Sequence, residues 1–137
     1  MKLFRILSHP YTLIICFLFI MISGENFGGF YAMYILMALP FGGVHALLAI
    51  AGIIVLLANH SIQKNKINSA RQVINLIGVL LLFASLYYFF WADKQHYNYG
   101  SFEQTVPVLT MLVTALVAAC FLISNFMKAR SKSLLVV

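Results

Sequence analysis

The stretch "ALPFGGVHALLAIAGIIVLLAN", residues 38–59, decides how the chain is read. From Gly42 to Asn59 it holds no Asp, Glu, Lys or Arg, and nearly every side chain is apolar. About 20 mainly apolar helical residues cross a hydrocarbon core of about 30 Å. Residues 42–59 therefore read as a membrane-spanning helix. Its start is interrupted. Pro40 removes a backbone donor and disfavours helix at Leu39, and Gly42 and Gly43 let the chain turn cheaply. The residues before the break, "FGGFYAMYILMALPF" at 27–41, are apolar as well. One straight helix over 30–59 would be about 45 Å long, more than a bilayer core accommodates without strong tilt. The expectation is a short helix at about 29–39, interfacial or re-entrant on the outer side. A hinge at Pro40, Gly42 and Gly43 follows, then the span. The alternative is one long, kinked and tilted helix.

Three more apolar segments lie outward from this one, at about 6–23 ("ILSHPYTLIICFLFIMIS"), 71–92 and 105–127. The composition agrees: 63% of the 137 residues are hydrophobic and 9% charged. A soluble domain carries about 45–50% apolar and about 25% charged residues. Lys2 and Arg5 followed by an apolar run also fit a secretory leader, but Ile22-Ser23-Gly24 is a poor cleavage site, so 6–23 is read as the first span. The fold class expected is an all-α integral membrane protein: a single domain, residues 1–137, of four transmembrane helices. Short polar loops such as "DKQHYNYGSFEQ" make it an antiparallel up-down-up-down bundle.

Charge sets the orientation. Lys2, Arg5, Lys64, Lys66, Arg71, Lys128, Arg130 and Lys132 fall on one side of these four spans, and only Lys94 falls on the other. Glu25, Asp93 and Glu103, the three acidic residues, share the side of Lys94. The positive-inside rule then places both termini in the cytoplasm of a cell-membrane protein. Tyr87, Tyr88 and Trp91 close the third span as an outer aromatic belt. The net charge of +6 is clustered beside apolar runs, which fits membrane orientation and no nucleic-acid partner. Cys16 and Cys120 differ in depth by about 12 Å on this topology, too far for a disulfide.

Helix interfaces in lipid favour small and weakly polar residues. Such stripes occur at helical spacing: Thr12, Cys16 and Ser23; Gly42, His45, Ala46, Ala49 and Gly52; Asn75, Gly78 and Ser85; Thr110, Thr114, Ala118 and Asn125. They are expected to converge on the bundle interior. His45 shares its face with the small residues, about one turn inside the outer surface. An outer polar pocket is therefore expected, with His45, Ser85 and Thr110 on its walls and Glu25 and Glu103 at its rim. The structural alternative makes His45 a hydrogen-bonded interface residue and lets the hydroxyls bond carbonyls of their own helices.

Motifs exclude more than they assign. No span contains the carboxylate of a proton-coupled antiporter, an arginine ladder or a Cys-x-x-Cys pair, and no hydrolase or nucleotide-binding signature occurs. His45 has no histidine at matched depth for bis-histidine haem ligation. Glu25, His45, His96 and Glu103 are scattered, so no metal and no cofactor is assigned. The reading leans away from an enzyme. The function expected is that of a non-enzymatic accessory or subunit-type component that binds other membrane proteins through its helices, with the bilayer and a membrane-protein partner or a second copy as its contacts. The alternatives are a small oligomeric transporter or channel using His45, Asn75 and Asn125, and a binder or enzyme for a lipid-soluble molecule at His45.

Overall fold

The computed structural model describes residues 6–25, 28–62 and 69–133, with side chains as far as Met127. The chain is mostly helical. Helix α1 (Pro10–Leu18) leads into strand β1 (Met21–Ser23), which pairs with β2 (Gly28–Phe30). Helix α2 (Tyr31–Ala38) follows, extended by a 3-10 turn over Leu39–Phe41. Then come α3 (Val44–Ile62), α4 (Ser69–Ala92), the single turn α5 (Gly100–Glu103) and α6 (Thr105–Ser133). Among the described residues, three segments are long and apolar enough to cross a membrane: α3, α4 and α6 as far as Met127. The side chains of Lys2, Arg5, Lys64, Lys66, Lys128, Arg130 and Lys132, on which the orientation rests, lie outside those described.

The first apolar segment departs from a continuous helix over 6–23. Pro10 starts α1 at a position where its missing N–H costs nothing. The helix stops after nine residues, and the next run, Phe19-Ile20-Met21-Ile22, is aromatic and β-branched. It follows a period of two: Ile20 and Ile22 are fully buried, while Met21 and Ser23 are half-buried. Met21 pairs with Phe30, Ile22 with Gly29 and Ser23 with Gly28 in an antiparallel ribbon. The apolar composition of 19–23 suits a strand as well as a helix, and hydropathy alone does not separate them.

A two-stranded ribbon leaves an edge of backbone donors, which is costly away from water. The N–H groups of Met21 and Ser23 point the same way, away from β2. Met21 donates to Thr110 Oγ1 of α6 at 3.0 Å, and Ser23 to Ser101 Oγ of α5 at 2.8 Å. Two hydroxyls thus take the place of a third strand. Near the end of α1, Thr114 shares its one hydroxyl proton between the Thr110 carbonyl of its own helix at 2.8 Å and the Cys16 carbonyl at 3.2 Å.

The closest helix pair is α3 with α4. A Cβ on Gly52 would stand 3.0 Å from the Gly78 carbonyl, and one on Gly78 would stand 2.7 Å from the Leu56 side chain. Both glycines let the backbones approach as small residues do in membrane interfaces. Ala46, Ala49, Gly52, Leu56 and Asn59 are the buried face of α3. Asn75, Gly78, Val79, Leu82 and Ser85 are among those meeting it from α4. The break before α3 is a left-handed turn at Gly42, φ +65°, where Gly42 and Gly43 donate back to Leu39 O and Ala38 O. Pro40 sits inside the 3-10 turn, where it blocks continuation of the α-helical ladder.

Candidate functional site

The residues singled out from sequence separate into two groups and a rim. His45 and Ser85 come together, with Tyr31 as a third member. Ser85 Oγ donates to the His45 carbonyl at 2.7 Å, and the Tyr31 hydroxyl is 2.7 Å from the same Ser85 oxygen. A serine has one hydroxyl proton. With that proton on the His45 carbonyl, Tyr31 is the donor to Ser85. The result is a one-way chain, Tyr31 O–H to Ser85 O–H to His45 C=O, linking α2, α4 and the first turn of α3.

Tyr31 and Ser85 are both fully buried. Burial pushes the Tyr31 phenol well above its ordinary range, so it stays neutral and keeps its donor proton. The sequence reading gave Tyr31 no part in the site. The signal was available in principle, because a buried tyrosine hydroxyl needs a partner and Ser85 was already assigned inward.

The His45 ring is half-buried among aromatics, 5.2 Å from Phe89 and 6.3 Å from Tyr31 between ring centroids. It hydrogen-bonds the backbone of Tyr34. Its Nε2 is buried and has no hydrogen-bond partner among the described residues. The tautomer that fits carries the proton on Nδ1, toward Tyr34, and leaves Nε2 as an acceptor.

Thr110 stands apart from this chain. Its hydroxyl accepts from Met21 N–H and donates to the Pro107 carbonyl at 2.8 Å, so both its functions are occupied by backbone. Glu25 and Glu103 have exposed side chains. The Glu25 backbone N–H donates to Tyr97 O at 2.9 Å, which ties the ribbon to the loop after α4. In that loop Asp93 Oδ2 accepts from both the backbone and the side-chain amide of Asn98. None of the hydrogen bonds and ring contacts that His45 makes above involves Glu25, Glu103 or Thr110. Among the described residues no three of His, Cys, Asp and Glu group as metal ligands would. Cys16 and Cys120 are free thiols.

A cavity lies against Phe90. Its volume is about 490 Å³, and Phe83, Tyr87, Phe90, Trp91, Tyr99 and Phe102 are among its walls. Tyr87 and Trp91 are mostly exposed, so the groove opens to the surroundings of the bundle. Phe90 meets Phe102 at 4.6 Å and Phe89 at 5.2 Å, and Phe89 in turn touches His45. Tyr87 and Trp91, two of the three aromatic residues read as a belt, thus line a groove between α4 and the start of α6. No protein-family model matches this chain, and no curated protein or solved structure matches it either.

Proposed function

We propose that this chain is a small multi-pass membrane protein, non-enzymatic, that docks on another membrane protein. In this reading it crosses the bilayer four times, with both termini in the cytoplasm. Nine helical residues of α1 and four extended residues at 20–23 reach about 27 Å, close to a hydrocarbon core. The charge asymmetry, eight basic residues to one, supports the orientation.

One observation carries the docking role. Four hydroxyls between the elements reach the backbone of a neighbouring element: Ser85 that of His45, Thr110 that of Met21, Ser101 that of Ser23 and Thr114 that of Cys16. They hold the fold in register and leave little polar chemistry for a reaction. What faces outward is apolar, and the aromatic groove is its deepest feature.

The test is site-specific photo-crosslinking in cells from Tyr87, Trp91 and Phe102, with Leu116 on an exposed face of α6 as control. A discrete adduct to one membrane protein from the groove positions, absent at Leu116, supports docking. Lipid adducts alone at all four positions defeat it. The size of the groove favours a second reading, a lipid-soluble ligand, since ligand pockets run to about 300–1,000 Å³. Mass spectrometry of the purified chain would then find a stoichiometric lipophilic compound, lost in Trp91→Ala.

A further inference from the structure

The opposite end of the bundle holds a second polar cluster. Ser8, His9, His60, Arg71, Asn75 and Asn125 line a cavity of about 80 Å³ closed by two apolar residues. About 10–15 Å³ admits one water, so this space takes a small polyatomic ion. It is assembled from all four principal elements: the approach to α1, the end of α3, the start of α4 and the far part of α6.

The lining is rich in donors. Asn75 Oδ1 already accepts from Asn59 Nδ2 at 2.6 Å, so what Asn75 has left to offer is its amide N–H. The same Asn59 amide holds the Arg71 carbonyl at 3.0 Å, which fixes the backbone of the arginine beside the cavity. The His9 and His60 rings meet edge to face at 4.8 Å, and Tyr11 stacks on His9 at 5.2 Å. No carboxylate side chain lines the space. The three acidic residues lie at the other end: Asp93 just after α4, whose first turn carries Arg71, Glu25 bound to Tyr97 in the same loop as Asp93, and Glu103 in α5 at the end of that loop. A guanidinium with imidazole and amide N–H groups around it matches an oxyanion, and arginine matches phosphate best. Seven further basic residues lie close by in sequence, at 2, 5, 64, 66, 128, 130 and 132.

We propose that this cavity binds a phosphate-type oxyanion, supplied by an anionic lipid headgroup or by phosphate in solution. The inference does not depend on the docking role proposed above. The full chain in detergent is titrated with inorganic phosphate, and in a separate arm with phosphatidylglycerol, against chloride and phosphatidylcholine as controls. The readout is the unfolding midpoint together with native mass spectrometry. One or both probes should raise the wild-type midpoint in a saturable way. Arg71→Gln should weaken that probe at least tenfold. A response to phosphatidylglycerol alone identifies the headgroup as source; a response to both admits free phosphate. If Arg71→Gln does not fold, the His9→Gln/His60→Gln double variant decides by the same criterion. No response from either probe, or equal binding by wild type and the deciding variant, overturns the proposal.

Discussion

Tyr31 and Ser85 stand 2.7 Å apart, oxygen to oxygen, both fully buried, and Ser85 passes its own proton to the carbonyl of His45. One short polar relay therefore fastens α2 to α4 and to the beginning of α3. Ser85→Ala leaves the Tyr31 hydroxyl buried without its partner, and Tyr31→Phe takes the donor away from Ser85, which keeps the His45 carbonyl; a buried hydroxyl left unpaired costs about 1–3 kcal/mol, less where membrane interfaces find substitutes. Tyr31→Phe and Ser85→Ala should each lower stability in detergent by about 1 kcal/mol. The double variant should lose less than the two together, giving a coupling of about 0.5–1 kcal/mol. Additive losses in a double-mutant cycle would mean the two hydroxyls act separately.

The α3–α4 contact rests on two residues without side chains. In Gly78→Ala the new methyl meets Leu56 at 2.7 Å, a distance real Cβ atoms do not sustain, so the helices separate or Leu56 repacks. Overpacking of this kind costs about 1–3 kcal/mol. The expected result is a lower unfolding midpoint for Gly78→Ala and partial recovery on adding Leu56→Ala. Unchanged stability in Gly78→Ala would show that the interface has slack.

Thr110 and Ser101 cap the free edge of β1, and this makes a prediction local enough to be read residue by residue. Thr110→Val keeps shape and removes the acceptor for the Met21 N–H. Ser101→Ala does the same for Ser23. Hydrogen exchange should accelerate at Met21 in the first variant and at Ser23 in the second, with exchange in the middle of α4 unaltered. Uniform acceleration along the chain would instead point to global destabilisation. Such a result would deny the two hydroxyls their role as a substitute third strand.

These tests fall where the sequence was hardest to read. The stripes of α3 and α4 were legible, because Ala46, Ala49, Gly52, Asn75, Gly78 and Ser85 recur at helical spacing and small residues mark helix contacts. The turn at Gly42 was legible because proline and paired glycines have fixed backbone consequences. The end of α1 was not. Ile20, Met21 and Ile22 are as hydrophobic as a helix requires, and their strand conformation depends on Thr110, some 89 residues away. The partners of Thr110 were not legible for a related reason. Depth along a helix is readable from residue number, but rotation about its axis is less so, and Thr110 turns toward β1 rather than toward His45. The cavity at Arg71 was overlooked because its members sit at segment ends, where polar residues are ordinary. The contact of His9 with His60, 4.8 Å between ring centroids, joins the approach to α1 with the end of α3 and has no signal in the sequence.

The short α1 bears directly on how many times the chain crosses. If α1 and β1 together traverse the bilayer, Lys2 and Glu25 lie on opposite sides. If the segment only dips into one leaflet, they share a side. Both positions accept a cysteine probe in a background with Cys16 and Cys120 replaced by alanine. With four crossings, a membrane-impermeant maleimide added to intact cells should label Glu25→Cys and Asp93→Cys and leave Lys2→Cys unlabelled until the cells are opened. The argument rests on length: about 27 Å of helix and strand nearly matches the hydrocarbon core, whereas the helix alone, at about 14 Å, covers half of it. Labelling of Lys2→Cys in intact cells would reduce the crossings to the three long helices, α3, α4 and α6. The hydroxyls that hold β1 would then be supporting a re-entrant ribbon.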